Sequence, residues 1–427
     1  MPGGPLPRHL LSDTAAVDAD GQLTVGGLRL TDLAAEFGTP LFVYDEAHLR
    51  ARCREAVAAF GPGRVVYATK AFLCVAMARL AYEEGVLLDV ASGGELHVAL
   101  KAGVPADRLT LHGNNKSIAE LRRAVKVGVH HIVVDSFDEL DRLDDLFDES
   151  GKQPDVLLRL TPGVHAHTHD FIATGQDDSK FGFTVSTGAA QAAIERALAS
   201  RSVRLVGLHC HIGSNVFRAE SFAEAMRVMA PLSARYGLPE LAIGGGLGVA
   251  YVEGEEAPTI SQWAKAVLGA ASDCGVTARV SVEPGRSIVA AAATTLYSVG
   301  TMKDLPGIRR YVAVDGGLSD NPRPVLYGSG YEAFLPRAPL ADRPLEARLV
   351  GKHCESGDVL IFDGRFPADL AVGDIVATPV TGAYGYSMAS NYNKLTRPAV
   401  VFVADGRARL VVRRETDDDL IRNDVLV

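Results

Sequence analysis

No stretch of this 427-residue chain is long and apolar enough to cross a bilayer, and its first residues, Met1-Pro-Gly-Gly-Pro-Leu-Pro-Arg8, lack an apolar leader core. A membrane role is not expected. Cysteine is scarce: five residues (Cys53, Cys74, Cys210, Cys274, Cys354), odd in number, scattered and without a Cys-x-x-Cys pair. That argues against a disulfide framework and for free thiols in a reducing cytoplasm. Basic residues neither dominate nor cluster. With 43 Lys and Arg against 52 Asp and Glu the net charge is −9, so nucleic acid and anionic membranes are not the expected partners. No internal repeat or low-complexity linker is visible. What is present is ordinary globular composition, 47% hydrophobic and 22% charged, on a chain long enough for two cores.

After Tyr44 short apolar runs alternate with amphipathic stretches. Strands are expected at Arg64–Thr69, Val86–Val90, Leu109–Leu111, Ile132–Val134, Val156–Leu160, Leu205–Leu208, Leu241–Ile243 and Val280–Val282. Between them, apolar residues at three- and four-residue spacing predict helices such as Ala71–Glu84, Glu95–Ala102, Ile118–Val127 and Phe222–Tyr236. Eight strands in this alternation suit a (β/α)8 barrel of the TIM type, with a doubly wound sheet as the rival. The unusual residues decide between them. Lys70, Ala91-Ser-Gly-Gly94, His112-Gly-Asn-Asn-Lys116, His209-Cys-His-Ile-Gly-Ser214, Gly244-Gly-Gly-Leu-Gly248 and Glu283-Pro-Gly-Arg286 follow strands one, two, three, six, seven and eight. Barrel sites gather at the C-terminal strand ends, with phosphate commonly held after strands seven and eight. The barrel is expected over residues 46–287.

From residue 288 to 427 the texture changes. Strand-like runs at Thr295–Gly300, Tyr311–Val314, Val359–Phe362, Asp374–Pro379, Val400–Val403 and Ala408–Val412 follow one another with few helical patterns. They predict a separate, mostly antiparallel β-domain. Residues 1–45, with strand candidates Gln22–Val25 and Leu41–Tyr44, are expected to join it.

Lys70, the glycine turn and the acid–glycine–arginine turn together suit pyridoxal phosphate. A lysine amine forms the Schiff base, glycine amides hold phosphate, and a carboxylate keeps the pyridine nitrogen protonated as an electron sink. Each piece has an ordinary explanation: a solvated lysine, a tight turn, a surface acid. His165-Ala-His-Thr-His169 resembles a metal-binding alternation, but no cysteine or carboxylate completes a tetrahedral set, so no metal is expected. A loop over the pocket, with Lys180-Phe-Gly-Phe183 behind it, is the expected role. Later polar clusters are Asn321-Pro-Arg-Pro-Val-Leu-Tyr327, Cys354-Glu-Ser-Gly-Asp358 and Gly382-Ala-Tyr-Gly-Tyr386. Alone they read as loops.

Taken together, Tyr67-Ala-Thr-Lys70, His209–Ser214, Gly244–Gly248, Glu283–Arg286, His167-Thr-His169 leading to Ser179-Lys-Phe-Gly182, and the three later clusters resemble the fold-type III PLP-dependent decarboxylases. Within that group they resemble the members that convert meso-diaminopimelate to L-lysine. The resemblance runs from about Leu41 to Arg414. It implies an alanine-racemase-type barrel with a β-domain, and pyridoxal 5'-phosphate on Lys70. His209 would stack on the ring and Glu283 would pair with its nitrogen. Ser214, Gly245, Gly246, Gly285, Arg286 and Tyr384 would hold the phosphate. It further implies that Arg286, Arg323, Tyr327, Glu355 and Tyr384 grip the substrate and that Cys354 returns a proton after carbon dioxide leaves. The implied catalytic unit is a homodimer, with Cys354 and Glu355 reaching the partner's cofactor. A decarboxylase of ornithine, lysine or arginine, or a relative making a secondary-metabolite precursor, is the alternative. Such an enzyme would want an acid for a bare ammonium, which two arginines would repel. A regulator without turnover is disfavoured by Lys70, His209, Glu283 and Cys354 occurring together.

Overall fold

The structure, a computed structural model, describes residues 4–164 and 176–426. The chain divides into two compact units: Arg52–Val249 with Ala257–Ser287, and the remainder, which includes the short segment Ala250–Glu256. No described helix is long and apolar enough to cross a membrane.

In the first unit eight parallel strands follow one another in chain order: β1 Val66–Ala68, β2 Leu87–Val90, β3 Leu109–Leu111, β4 His131–Val134, β5 Asp155–Thr161, β6 Arg204–Cys210, β7 Glu240–Ala242 and β8 Arg279–Ser281. The ring closes between its ends. Val65 bridges Val282 in parallel, and the Val66 and Ala68 amides donate to the carbonyls of Val282 and Pro284 at 2.9 and 3.0 Å. This is the expected barrel. Its strands are legible because helices cover the outside and side chains fill the inside, so each reads as an apolar run. Several connecting helices start on a hydroxyl that caps the first turn: Ser92, Ser117, Ser136 and Thr259 each accept from the amide three residues on. Such caps stop each loop at a defined residue and so fix the residues just before it, where the site lies.

The second unit is built on one sheet. Ala293–Leu305 is its longest strand, pairing antiparallel with Arg309–Val314, with Ile375–Pro379 and with the N-terminal strand Leu41–Asp45. Leu345–Val350, Val359–Phe366, Ala399–Ala404 and Arg407–Val412 extend it outward. Two pairings are parallel (Arg309–Val314 with Leu345–Val350, Leu41–Asp45 with Ala399–Ala404), so the sheet is mostly antiparallel. Leu41, Val43, Leu296, Phe334, Val401 and Val403 pack into one core with the small hairpin at Leu23–Val25.

Candidate active site

Lys70 lies in a single 3-10 turn directly after β1, its side chain exposed at the barrel's C-terminal end. The same end carries a buried electrostatic cluster. Glu283, after β8, has Oε2 2.9 Å from His209 Nε2 and Oε1 3.1 Å from His112 Nε2. Burial would push its carboxyl up, but the two imidazoles outweigh burial and hold it well below the ordinary carboxylate range. The imidazoles differ. Burial lowers His209, whereas at His112 the charges of Asp89 and Glu283 overcome burial and raise it. Glu283 is thus held ionised between two imidazoles whose basicities shift in opposite directions. Asp89, buried on β2, is pushed up to about 6, by burial first and against the opposing charge of His112, with Lys70 also favouring its ionised form.

The glycine turn after β7 is built for close approach. A Cβ on Gly245 would meet the Glu283 carbonyl oxygen at 1.8 Å, and one on Gly246, where φ is +110°, would meet the Gly213 carbonyl oxygen at 1.9 Å. Only glycine lets the three loops after β6, β7 and β8 lie against each other. The Gly245 amide donates to His211 Nδ1 at 3.3 Å. Burial, then the charges of Lys70 and Arg159, holds His211 well below its usual range, so its ring stays neutral and can accept. Arg286 is buried and donates from Nη2 to Ser214 Oγ at 2.8 Å, and Gly285 lies against Ala68 at the end of β1. The barrel therefore brings together Lys70, His209, Ser214, Gly245, Gly246, Glu283, Gly285 and Arg286.

The other predicted residues lie in the sheet unit. Arg323 opens the short helix Arg323–Tyr327 and is 4% exposed, with Tyr327 half-buried at the helix end. Its Nη1 donates to Tyr331 Oη at 2.6 Å and its Cζ lies 4.3 Å above the Tyr251 ring. No carboxylate among the described residues pairs with it. Burial works against its charge, yet the phenol groups of Tyr331, Tyr251 and Tyr384 leave it more basic than usual. Tyr384, half-buried, takes a positive φ of 62°. Cys354 and Glu355 are exposed on a turn held from beneath by Asp358, which accepts from the His353 amide, His353 Nδ1 and the Leu318 amide at 3.0, 2.8 and 2.7 Å. The Cys354 amide donates to Asn393 Oδ1 at 2.9 Å.

Several of these participants escaped the sequence. Asp89 and Arg159 are charges inside apolar strand runs, a signal that was there to use. His112 was noted only as part of a loop motif, and that motif splits in two. Lys116 is structural: its three N–H donors go to Glu139, Gly113 O and Val133 O at 2.7, 2.7 and 2.6 Å. Tyr251 and Tyr331 belong to no motif. The histidines of His165–His169 lie outside the described residues. A further group, His130, His131 and Glu240, gathers at the opposite strand ends. There the Arg279 guanidinium, 2.6 Å from Glu240 Oε1, already supplies the positive charge.

Known proteins similar to this chain fall in one class. Residues 46–290 match the family described as "Pyridoxal-dependent decarboxylase, pyridoxal binding domain", and the chain belongs to that class. It is 50% identical to the diaminopimelate decarboxylase of Mycobacterium tuberculosis, with 96% of each chain covered. The corresponding Bacillus subtilis protein is 46% identical over 97% of this chain and 98% of its own. Among solved structures, diaminopimelate decarboxylase from M. jannaschii in co-complex with L-lysine superimposes with a TM-score of 0.91 at 32% identity, covering 97% of this chain and 98% of that one. Within its class, the chain is a member of the diaminopimelate decarboxylase family.

The residues fit the cofactor of that family. An exposed lysine amine, a turn that admits no Cβ, a buried arginine beside a serine hydroxyl and an ionised buried acid meet at one barrel end. Those are the needs of an aldehyde, a phosphate ester and a protonated pyridine.

Proposed function

We propose that this chain uses pyridoxal 5'-phosphate to decarboxylate meso-2,6-diaminopimelate to L-lysine and carbon dioxide, the last step of lysine biosynthesis. The observation that carries the substrate is Arg323, a buried guanidinium without a carboxylate partner among the described residues. A buried unpaired cation is costly, so its persistence favours a ligand that brings an anion. A dicarboxylate does so. An ornithine- or lysine-type substrate would bring an ammonium instead.

Lys70, His209, Ser214, Gly245, Gly246, Glu283, Gly285, Arg286 and Tyr384 are the residues proposed to hold the cofactor. When bound, pyridoxal phosphate supplies the electron sink that accepts the pair released as carbon dioxide departs. Lys70 offers the amine that anchors the cofactor and is exchanged for the substrate's amine. Glu283, kept ionised by its imidazoles, holds a proton on the ring nitrogen. Arg286, Arg323, Tyr327, Glu355 and Tyr384 orient the substrate, and the Cys354 thiol returns a proton to the carbon that lost carboxylate. We further propose a homodimer in which Lys70 of one chain works with Cys354 of the partner subunit. A cytoplasmic setting fits five cysteines that are all free thiols.

Carbon dioxide and lysine release should be followed with meso-diaminopimelate, L-lysine, L-ornithine and L-arginine side by side. Turnover of meso-diaminopimelate alone is expected. Carbon dioxide from ornithine or lysine, with none from diaminopimelate, would overturn the assignment.

A further inference from the structure

Among the described residues, the side-chain hydrogen bond and ring contacts of Arg323 are all made with tyrosines. Tyr331 Oη takes one N–H at 2.6 Å, the Tyr251 face lies 4.3 Å from Cζ, and the Tyr331 ring lies 5.6 Å away. The two rings meet edge-on, centroids 5.3 Å apart, and each tyrosine is 3% exposed. Both segments are themselves fixed. The Tyr251 amide donates to Glu255 Oε2 at 2.8 Å, and Glu332 Oε1 accepts from the Glu253 amide at 3.1 Å, tying one tyrosine's turn to the other's. Gly330 packs so closely that a Cβ there would meet Val252 Cγ1 at 2.9 Å.

We propose that Tyr331 and Tyr251 are positioning residues that set the preference for a substrate with a second carboxylate, by fixing Arg323 without neutralising it. The inference rests on Arg323 as the distal-carboxylate group. A guanidinium carries five N–H donors. A protein carboxylate in this place would take two of them in a fork and cancel the charge. The phenol takes one donor and leaves the charge whole. The Tyr251 ring takes none, since a cation–π contact uses the flat face and leaves the edge donors free. An uncancelled, immobilised fork then faces an incoming carboxylate, while an ammonium-ended ligand meets like charge.

The test compares ligands that differ by that one group. Because L-lysine is the product, the carboxylate retained belongs to the L centre of meso-diaminopimelate, and cadaverine is L-lysine without it. With PLP-loaded enzyme, Tyr331→Phe should raise KM for meso-diaminopimelate roughly tenfold and leave kcat within about twofold. By calorimetry, L-lysine should bind roughly tenfold more weakly while cadaverine binding stays unchanged. Tyr251→Leu should act in the same direction, and Tyr251→Phe, which keeps the ring face, should restore near-normal values. Unchanged KM and L-lysine affinity in either Tyr331→Phe or Tyr251→Leu overturns the role of that residue. Equal losses for L-lysine and cadaverine mean general loosening and overturn it too. Arg323→Gln separates the layers. If it weakens L-lysine selectively while the tyrosine variants do not, positioning fails and the Arg323 assignment stands. If it changes nothing, the assignment itself falls.

Discussion

Two buried carboxylates, one in each unit, titrate in opposite directions. Glu283 in the barrel and Asp320 in the sheet unit are 8% and 2% exposed, so both carry a burial penalty. Glu283 is nevertheless held well below the ordinary range, because imidazoles flank it. Among the described residues Asp320 accepts from a phenol and an amide, Tyr297 Oη at 2.5 Å and Gly317 N at 2.9 Å, and burial pushes it up to about 7. Burial sets the penalty, and the charge of the neighbours decides the outcome. Around Glu283 the barrel has built in countercharges that outweigh burial, whereas at Asp89, and at Lys116 paired with Glu139, burial still wins. In the sheet unit burial wins at Asp320, and the Arg323 cation has no carboxylate partner among the described residues. The first arrangement suits a cofactor that needs a permanent carboxylate, the second a ligand that arrives and leaves.

The largest expected effect strikes the barrel. Lys70→Ala should abolish turnover and with it the cofactor absorbance that borohydride otherwise fixes to the protein. Thermal stability should change little, since the side chain is exposed. Borohydride labelling mapped to another lysine would remove Lys70 from its role.

The next breaks the contrast between the two acids. Asp320 has its proton affinity raised on folding, so the folded state holds a proton the unfolded chain has lost between about pH 4 and pH 7. Stability from this group is therefore present at low pH and falls as pH rises through that window. Three pK units correspond to about 4 kcal/mol. Asp320→Asn mimics the protonated acid and can still meet Tyr297 and Gly317. It should match wild type near pH 4 in chemical denaturation and exceed it at pH 8. Parallel pH curves for the two proteins would show that Asp320 ionises freely.

Arg323→Ala sharpens the contrast from the other side. Removing a buried fork for carboxylate should cost about 3 kcal/mol in kcat/KM for meso-diaminopimelate, mainly through KM. An unchanged kcat/KM would return the basic amino acids to candidacy as substrates.

The barrel was easier to read in the sequence than the site. Strands such as Leu87–Val90 are buried along their whole length and stand out as apolar runs. Leu345–Val350 was missed because Glu346 and Arg348 interrupt it, although alternation of buried and exposed residues is what a half-covered strand requires. Lys70 and the glycine turns follow strand ends and could be placed from chemistry and period alone. Cys354, Glu355 and Tyr384 could not: their local sequences are ordinary turns, and only resemblance to a family gave them roles. The seat of Arg323 was invisible, because Tyr251 and Tyr331 are eighty positions apart and neither stands in a chemical motif.

The smallest expected effect asks whether the two kinds of lesion, barrel and sheet unit, fall in the same site. Lys70→Ala and Cys354→Ala homodimers should both be nearly inactive, one for want of the anchoring amine, the other for want of the returning proton. If each site takes Lys70 from one chain and Cys354 from the partner subunit, a dimer with one chain of each kind has one site with both lesions and one with neither. Refolding an equal mixture makes about half of the dimers mixed, so roughly a quarter of wild-type activity should return. A site drawn from a single chain leaves one lesion in every site and predicts no recovery. The two mutants carry different masses, so native mass spectrometry can count the mixed dimers directly. Mixed dimers present at about half the population, with activity still near zero, would end the shared-site proposal and leave Cys354 to act within its own chain or not at all.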